Sequence, residues 1–363
     1  MSDPVNFDFD EYIRQSEPEK QQKGYIWQTA IGLQDVDGLK PSEYLIETAK
    51  KNIDGDITLK EANELIHSYY ESKTARIDAE NRTEEADKVS ARIAQILSED
   101  AFVFSPEQFI AIHRRLFEGI YKFAGNIRDY NISKKEWVLK GKSVVYAGSD
   151  MIRDTLNYDF DAERHFNYSG LGIDKSIRHI TEFISNLWQI HPFGEGNTRS
   201  TAVFSIKYLR SMGFEVNNTL FAENSWYFRN ALVRANYSDI QKGIVEDKSY
   251  LEHFFRNLLL GEHHELKNRY LLIDTEMQPP EKIGDKEKIG DKEKIGDKKS
   301  AINVRNRQAI IAFIKDSGTV KASQVAAAIG LQPSRTRDYL SELIQDGIII
   351  AEGANRNRVY RLK

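Results

Sequence analysis

The sequence predicts a mainly α-helical protein built in parts, with one small β-hairpin in its centre. Three observations carry this. Apolar residues recur at helical spacing through most of the chain before residue 261. The unit Glu-Lys-Ile-Gly-Asp-Lys then repeats three times over 281–298. One apolar residue in six cannot build a core, so this reads as a flexible charged linker. After residue 300 the charge changes sign: ten Lys/Arg against five Asp/Glu give +5, whereas the whole chain is −4. The parts expected are an N-terminal helical module (1–71), a central domain (72–277), a linker (278–299) and a C-terminal domain (300–363).

With 363 residues the chain exceeds what one small core organises, and 40% hydrophobic with 29% charged residues is ordinary globular composition. A net charge of −4 gives the whole chain no nucleic-acid bias. The absence of Cys excludes disulfides, thiol nucleophiles and Cys-ligated zinc. The start, Met1-Ser2-Asp3-Pro4, is polar and acidic rather than signal-like. No apolar run approaches the roughly 20 residues that span a bilayer. A cytoplasmic protein with no membrane partner is expected.

In order along the chain, residues 1–24 are polar and read as mobile, and Gln21-Gln22-Lys23-Gly24 reads as a breaker. Tyr25–Leu33 is an apolar-rich helix. Asp37-Gly38-Leu39-Lys40-Pro41 stops it, since Gly then Pro is a helix-end pattern. Ser42 caps a helix through Lys51, and Thr58 with Glu61 makes a capping box for another to about Tyr70. Residues 72–100 are helical, with Ala86, Val89, Ile93 and Ile96 as the apolar stripe. Ser105-Pro106 opens a helix through Ile110, His113, Leu116 and Phe117. His113 lies on or beside its apolar face and reads as packed or at the surface. The run from Lys134 to Tyr146 reads as a hairpin turning near Lys140-Gly141-Lys142.

Ile180, Phe183, Ile184, Leu187 and Trp188 mark the next helix, and Ala202, Val203, Ile206 and Leu209 another. Between them lies His191-Pro192-Phe193-Gly194-Glu195-Gly196-Asn197-Thr198-Arg199, whose end opens the second helix. Helix starts leave backbone N–H groups without intrahelical partners and favour anions. Gly196 lets a phosphate approach the backbone closely. Asn197 offers a side-chain donor, and Arg199 a fork onto phosphate oxygens. Glu195 is a hard oxygen ligand suited to Mg²⁺. A neutral His191 can take a proton from an attacking hydroxyl. Base, metal carboxylate and phosphate cradle within nine residues point to phosphate-ester transfer from a nucleotide.

The same nine residues resemble the loop of the Fic (Fido) family, His-x-Phe-x-Asp/Glu-Gly-Asn-Gly/Lys-Arg. Phe123-Ala124-Gly125-Asn126-Ile127-Arg128 is similar to that family's Ala-Gly-x-x-Arg segment. The resemblance implies a Fic helical core. It also implies transfer of AMP from ATP to a Ser, Thr or Tyr of a target protein, with auto-modification or a homodimer left open. His191 would be the base and Glu195 the Mg²⁺ ligand. Gly194, Gly196, Asn197, Thr198 and Arg199 would form the anion hole, with Phe193 anchoring the loop. The hairpin would be a target-docking flap presenting Trp137, Val138, Leu139, Val144 and Val145. Tyr227 and Asn230, on the helical run after Trp226, would touch base or ribose.

Two positions depart from the pattern. Thr198 replaces the usual Gly, and Ala202 stands where AMP-transferring members carry a second Arg. Ala202 leans toward the Doc branch, which transfers phosphate, so that alternative stays open.

The N-terminal module resembles the VbhA-type antitoxin that inhibits Fic enzymes, and its inhibitory motif aligns on Leu33 to Pro41. Asp37 and Gly38 fall at the inhibitory position, Asp37 replacing a Glu that normally meets the second Arg. With Ala202 there, Asp37 is expected to have no guanidinium to meet. The lock would be weakened or rebuilt, or the module a purely structural cap. Glu80-Asn81 is a second, poorer match, since Arg76 lacks the motif's hydroxyl.

In the tail, Ile302–Lys315, Lys321–Ile329 and Pro333–Gln345 read as helices, and Ile348–Ala351 and Val359–Leu362 as strands. This order resembles a winged helix-turn-helix. Ser334, Arg335 and Arg337 would open its recognition helix, with Arg356 and Arg358 on the wing, all suited to DNA. Winged helices also serve as protein-interaction or dimer modules. A nucleotide-sensing DNA-binding regulator is therefore a further alternative to the enzyme.

Overall fold

The computed structural model describes residues 18–72, 78–216 and 219–273. In the C-terminal part it describes 310–311, 313–315, 317–329, 336, 339–340, 343–344, 348–352 and 359–362. The protein is mainly helical, with a small two-stranded sheet. Its contacts divide it into two units, Met1–Met277 and Gln278–Lys363.

In the first unit, α1 (Pro18–Gly32) runs into a 3₁₀ turn, Leu33–Asp37. The helix begins seven residues before Tyr25, so Pro18–Gly24, expected to be mobile, is ordered, and Gly24 is buried. Gly38 ends the turn at φ 63° and returns its N–H to the Asp35 carbonyl. Then come α2 (Glu43–Asp54) and α3 (Leu59–Glu71). Ser42 accepts from the Leu45 N–H, and Thr58 with Glu61 forms the reciprocal capping box. These helices rest on α4 (Asp78–Ser98). Its buried Asp87 accepts from the Ser42 hydroxyl (2.5 Å), the Ser42 N–H (2.8 Å) and the Tyr70 hydroxyl (2.6 Å).

The central helices are α5 (Pro106–Phe117), α6 (Ile152–His165), α7 (Ile173–Ile190), α8 (Asn197–Ser211), the short α9 (Leu220–Glu223), α10 (Ser225–Ala235) and α11 (Ser249–Leu260). Ser105 caps α5 with Pro106 in its first turn. The strongly amphipathic α7 buries Ile180, Phe183, Ile184, Leu187 and Trp188. α8 is buried almost all round, as befits the central helix of the unit. One apolar core runs from Ile26 to Ile273, so the N-terminal helices share it with the central ones. α1 crosses α9 so closely that a Cβ on Gly32 would lie 2.3 Å from the Ala222 Cα.

The expected hairpin keeps its turn but not its strands. Lys140 (φ 51°) and Gly141 (φ 85°) both sit at positive φ, and the Lys142 N–H donates to the Leu139 carbonyl. This is the geometry of a tight primed hairpin turn. Before it, however, Trp137–Leu139 winds into a 3₁₀ turn, and no strand ladder is assigned over 134–146. A bond from the Glu136 N–H to the Lys142 carbonyl (2.9 Å) holds the two arms together.

In the second unit, α12 (Ala322–Ile329) accompanies β1 (Ile349–Glu352) and β2 (Val359–Leu362), which pair antiparallel with Ile349 opposite Leu362. Val320 adds a bridge to Tyr360. Ile310, Ile314, Val325, Leu340, Leu343, Ile349 and Tyr360 form a separate core. The repeat linker and the residues expected to meet DNA, Ser334, Arg335, Arg337, Arg356 and Arg358, lie outside the described residues.

Candidate active site

His191 is the C-cap of α7 and stands in the left-handed region (φ 50°). Pro192 disfavours the helical conformation for the residue before it, so the helix ends there. The His191 ring is buried between Tyr146 and Trp188, at centroid distances of 4.2 and 5.1 Å. Its Nδ1 lies 3.2 Å from the Trp188 carbonyl. A carbonyl only accepts, so this bond places the ring proton on Nδ1 and leaves the Nε2 lone pair free. Burial lowers the His191 pKa well below 6.5. Lys134, Arg128 and Arg229 push it the same way, against the Trp188 bond. The imidazole is therefore neutral near pH 7, the form a general base requires.

Arg128 clamps the end of α7. Its guanidinium donates to the carbonyls of His191 (2.8 Å), Tyr130 (2.7 Å), Ala147 (2.6 Å) and Ile190 (3.3 Å), and its own N–H to Pro192 (2.9 Å). A cation at a helix C-terminus satisfies carbonyls that have no intrahelical partner. His113 of α5 does similar work from below. Its Nδ1 accepts from the Gly125 N–H, so Nε2–H donates to the Glu195 carbonyl at 3.0 Å. Burial, its largest cause, lowers its pKa to about 4. Its ring stacks on Phe193 at 3.7 Å.

Within the loop, Phe193 is fully buried and acts as the anchor, out of reach of a ligand. The Asn197 amide spans the turn: Oδ1 accepts from the Phe193 N–H and Nδ2 donates to the Phe193 carbonyl. The side-chain donation to phosphate expected of Asn197 is thus spent on closing the loop. Thr198 accepts from the Trp188 indole N–H at 2.9 Å. That explains a Thr in place of Gly: its hydroxyl fixes the indole against which His191 packs. Gly196 (φ 77°) starts α8, and a Cβ there would meet Phe117 Cε2 at 2.4 Å. Gly194 faces Tyr130, whose hydroxyl lies 2.8 Å from where its Cβ would be. No side chain caps the N-terminus of α8, so its first N–H groups are not claimed by one.

Arg199 departs from its expected role. It is 1% exposed, and four groups surround it. Nε lies 2.8 Å from Asp37 Oδ2, a charge contact rather than an aligned hydrogen bond. Nη1 donates to Gln34 Oε1 (3.1 Å), and Nη2 to Glu85 Oε1 (2.6 Å) and the Tyr121 hydroxyl (3.2 Å). The guanidinium also lies over the Phe117 ring at 4.8 Å. Burial alone would lower its pKa, but Asp37, Tyr121 and Glu85 outweigh it and raise the net value. Asp37 therefore does have a guanidinium to meet, contrary to the sequence expectation. It meets Arg199 rather than the missing cation at Ala202, a fully buried position. Arg82 donates to the Asp37 and Gly38 carbonyls and holds this turn in place.

Glu195 projects outward, and its Oε2 accepts from the Lys134 ammonium at 2.8 Å. Among the described residues no group of three His, Cys, Asp or Glu could hold a metal ion. One outward carboxylate fits Mg²⁺ of the kind that takes its remaining oxygens from phosphates and water.

The docking residues divide into two sets. Val138, Leu139 and Val144 are buried in the core, whereas Trp137 (50% exposed) and Val145 (81%) face outward. The 3₁₀ turn turns both Val138 and Leu139 inward, and Val144 points inward on the returning arm, so three of the five anchor the segment and cannot dock a target. Buried Glu136 pins the segment to α10 through Arg229 at 2.7 Å. Tyr227 and Asn230 are also turned inward: the Tyr227 hydroxyl donates to the Tyr250 carbonyl, and Asn230 Nδ2 to Asn268. On the same helix Trp226 and Arg229 are the more accessible side chains, stacked at 5.2 Å. Apolar periodicity does not reveal this inward packing when a helix is buried on most sides, as α10 is.

Residues 103–209 match the model of the Fic/DOC family, so the chain contains a Fic/DOC family domain. No curated protein matches the chain. Among solved structures, the chain is similar to a Fic family protein from Desulfovibrio desulfuricans G20, at 14% identity and a TM-score of 0.43 over 98% of this chain and 90% of that one. It is also similar to the N-terminal FIC domain of Bep8 from Bartonella sp. 1-1C, at 17% identity and a TM-score of 0.40 over 51% and 88%.

Proposed function

We propose that this protein transfers AMP from ATP to a hydroxyl side chain of a target protein, with His191 as general base. The observation that carries the reading is the His191 ring itself: neutral, with its proton committed to Trp188, on the turn that leads into a helix with no side-chain cap. His191 Nε2 takes the proton of the attacking Ser, Thr or Tyr hydroxyl. The Fic/DOC domain supports ATP as the substrate. Glu195 would hold Mg²⁺, which when bound neutralises phosphate charge. The first turn of α8 cradles the phosphates through backbone N–H groups, with Gly196 at positive φ shaping the turn against Phe117. Trp137 and Val145 offer the exposed apolar contacts for a target segment.

Arg199 completes this cradle only when it leaves the Asp37, Gln34 and Glu85 cage. The N-terminal module therefore holds the enzyme in a restrained state, through a lock rebuilt on Arg199. Ala202 favours one second reading, phosphate transfer of the Doc kind. DNA binding by the C-terminal unit, which would direct the enzyme to a nucleic-acid partner, also belongs to the proposal.

The test uses ATP labelled separately at the α- and γ-phosphates, with Mg²⁺ and cell lysate, beside His191→Ala. Label arriving from the α position only, and lost in the variant, is the expected result. Arrival from the γ position only would replace AMP transfer by phosphate transfer.

A further inference from the structure

Glu195, the metal ligand of the reading above, already has a cation. Lys134 Nζ lies 2.8 Å from its Oε2, and the Lys134 side chain is only 24% exposed. The chain builds that position. The Lys134 N–H donates to Ser143 Oγ (3.1 Å), and Ser143 Oγ donates to the Val144 carbonyl (2.8 Å). Two residues on, Glu136 is bonded through its backbone to Lys142 and through its buried carboxylate to Arg229. Lys134 is thus presented from a segment fixed on both sides, unlike a lysine on a free surface, whose pairing is loose. Its charge also reaches His191, where it is the second cause after burial that holds the imidazole neutral.

We propose that Lys134 is a resident competitor for the divalent cation, and so sets the metal requirement of this enzyme. The proposal rests on Glu195 as the Mg²⁺ ligand. An ammonium and a divalent cation on one carboxylate repel each other, so Lys134 must withdraw before the metal–nucleotide complex settles on Glu195. Lys134 is a positioning residue in this scheme: it acts through Glu195 and is not required to touch the reacting atoms. A lysine that simply bound phosphate would behave in the opposite way, because removing it would weaken every nucleotide complex.

The experiment measures binding of α,β-methylene-ATP by calorimetry, with Mn²⁺ and with EDTA. It compares the full chain with its Lys134→Met, Lys134→Arg, Glu195→Gln and doubly substituted Lys134→Met/Glu195→Gln variants, each checked for an unchanged thermal unfolding midpoint. Lys134→Met should bind the Mn²⁺ complex about tenfold tighter than the natural chain, a difference of ~1.4 kcal/mol. It should bind the metal-free nucleotide no more tightly, since losing a cation cannot favour a bare polyanion. Lys134→Arg should keep the natural affinity, and Glu195→Gln should erase the gain in the double variant. Equal or weaker Mn²⁺-complex binding by Lys134→Met, while Glu195→Gln still weakens the natural chain, overturns this proposal alone. Metal dependence that Glu195→Gln leaves unchanged throughout overturns the metal role of Glu195 and this proposal together. Binding of the nucleotide by none of the proteins, with or without metal, overturns the nucleotide reading itself.

Discussion

The strongest single-residue feature is the guanidinium of Arg199, enclosed by Asp37, Gln34, Glu85 and Tyr121. Two carboxylates on one buried cation make it costly to remove either partner, yet the cation is the group a polyphosphate would claim. Asp37→Ala should therefore raise the rate of label transfer, with Glu85 retaining part of the restraint, so that the rise is several-fold. A rate equal to that of the natural chain would show that the turn caps the fold without restraining the enzyme. The buried histidines make a second prediction. His113, lowered to about 4 by burial, and His191, also lowered well below the usual histidine value by burial, are neutral in the folded protein and charge more readily when unfolded. The unfolded state then binds more protons below pH 6.5. Stability is full above that value and is lost as pH falls toward 4. For His113 the loss is on the order of 3 kcal/mol. Urea unfolding of the natural chain and His113→Asn at pH 7 and pH 4.5 should show a smaller drop for the variant.

At the scale of elements, the segment 133–146 shows why a sequence pattern can name an element and misjudge its surfaces. Lys140-Gly141 was legible because a primed turn needs positive φ at both central residues, and Gly supplies one freely. The facing of Val138 and Leu139 was not legible. Alternation holds only while the backbone stays extended, and Trp137–Leu139 is a 3₁₀ turn. Leu139→Ala should cost about 2–5 kcal/mol of stability, as emptying a core position does. Trp137→Ala should leave the unfolding midpoint near its natural value but reduce transfer to the target. Equal stability losses for the two would contradict this division. Helix α6 escaped the sequence analysis altogether: Ile152, Leu156 and Phe160 mark its buried stripe, but acidic and basic residues crowd the rest. The α7–turn–α8 unit, by contrast, was legible in full, because a strong apolar periodicity flanks a Gly-containing polar loop on both sides.

For the molecule as a whole, the N-terminal helices are continuous with the central core, and Asp87 is the polar joint between them. Asp87→Ala removes the acceptor that Ser42 and Tyr70 share, and should destabilise the first unit by roughly 3 kcal/mol. It should also loosen the turn carrying Asp37 and so raise activity. Loss of stability without any rise would separate the scaffold from the restraint. Among the described residues no helix is long and apolar enough to cross a membrane. The sequence by itself determined the helical class, the capped starts of α2, α3 and α5, and the nine-residue loop with its base and carboxylate. These depend on neighbours along the chain: periodicity, cap chemistry, and the order of residues in one turn. Only the tertiary structure decided what each of those groups meets. Arg199 finds Asp37 and Glu85, at sequence separations of 162 and 114 residues, where the pattern offered only an absent partner at Ala202. Lys134 finds Glu195, 61 residues away. Thr198 finds Trp188, and Tyr227 and Asn230 turn inward. The physical reason is the same in each case: charge pairing and burial are set by packing between distant elements, and local sequence carries no record of which elements those are.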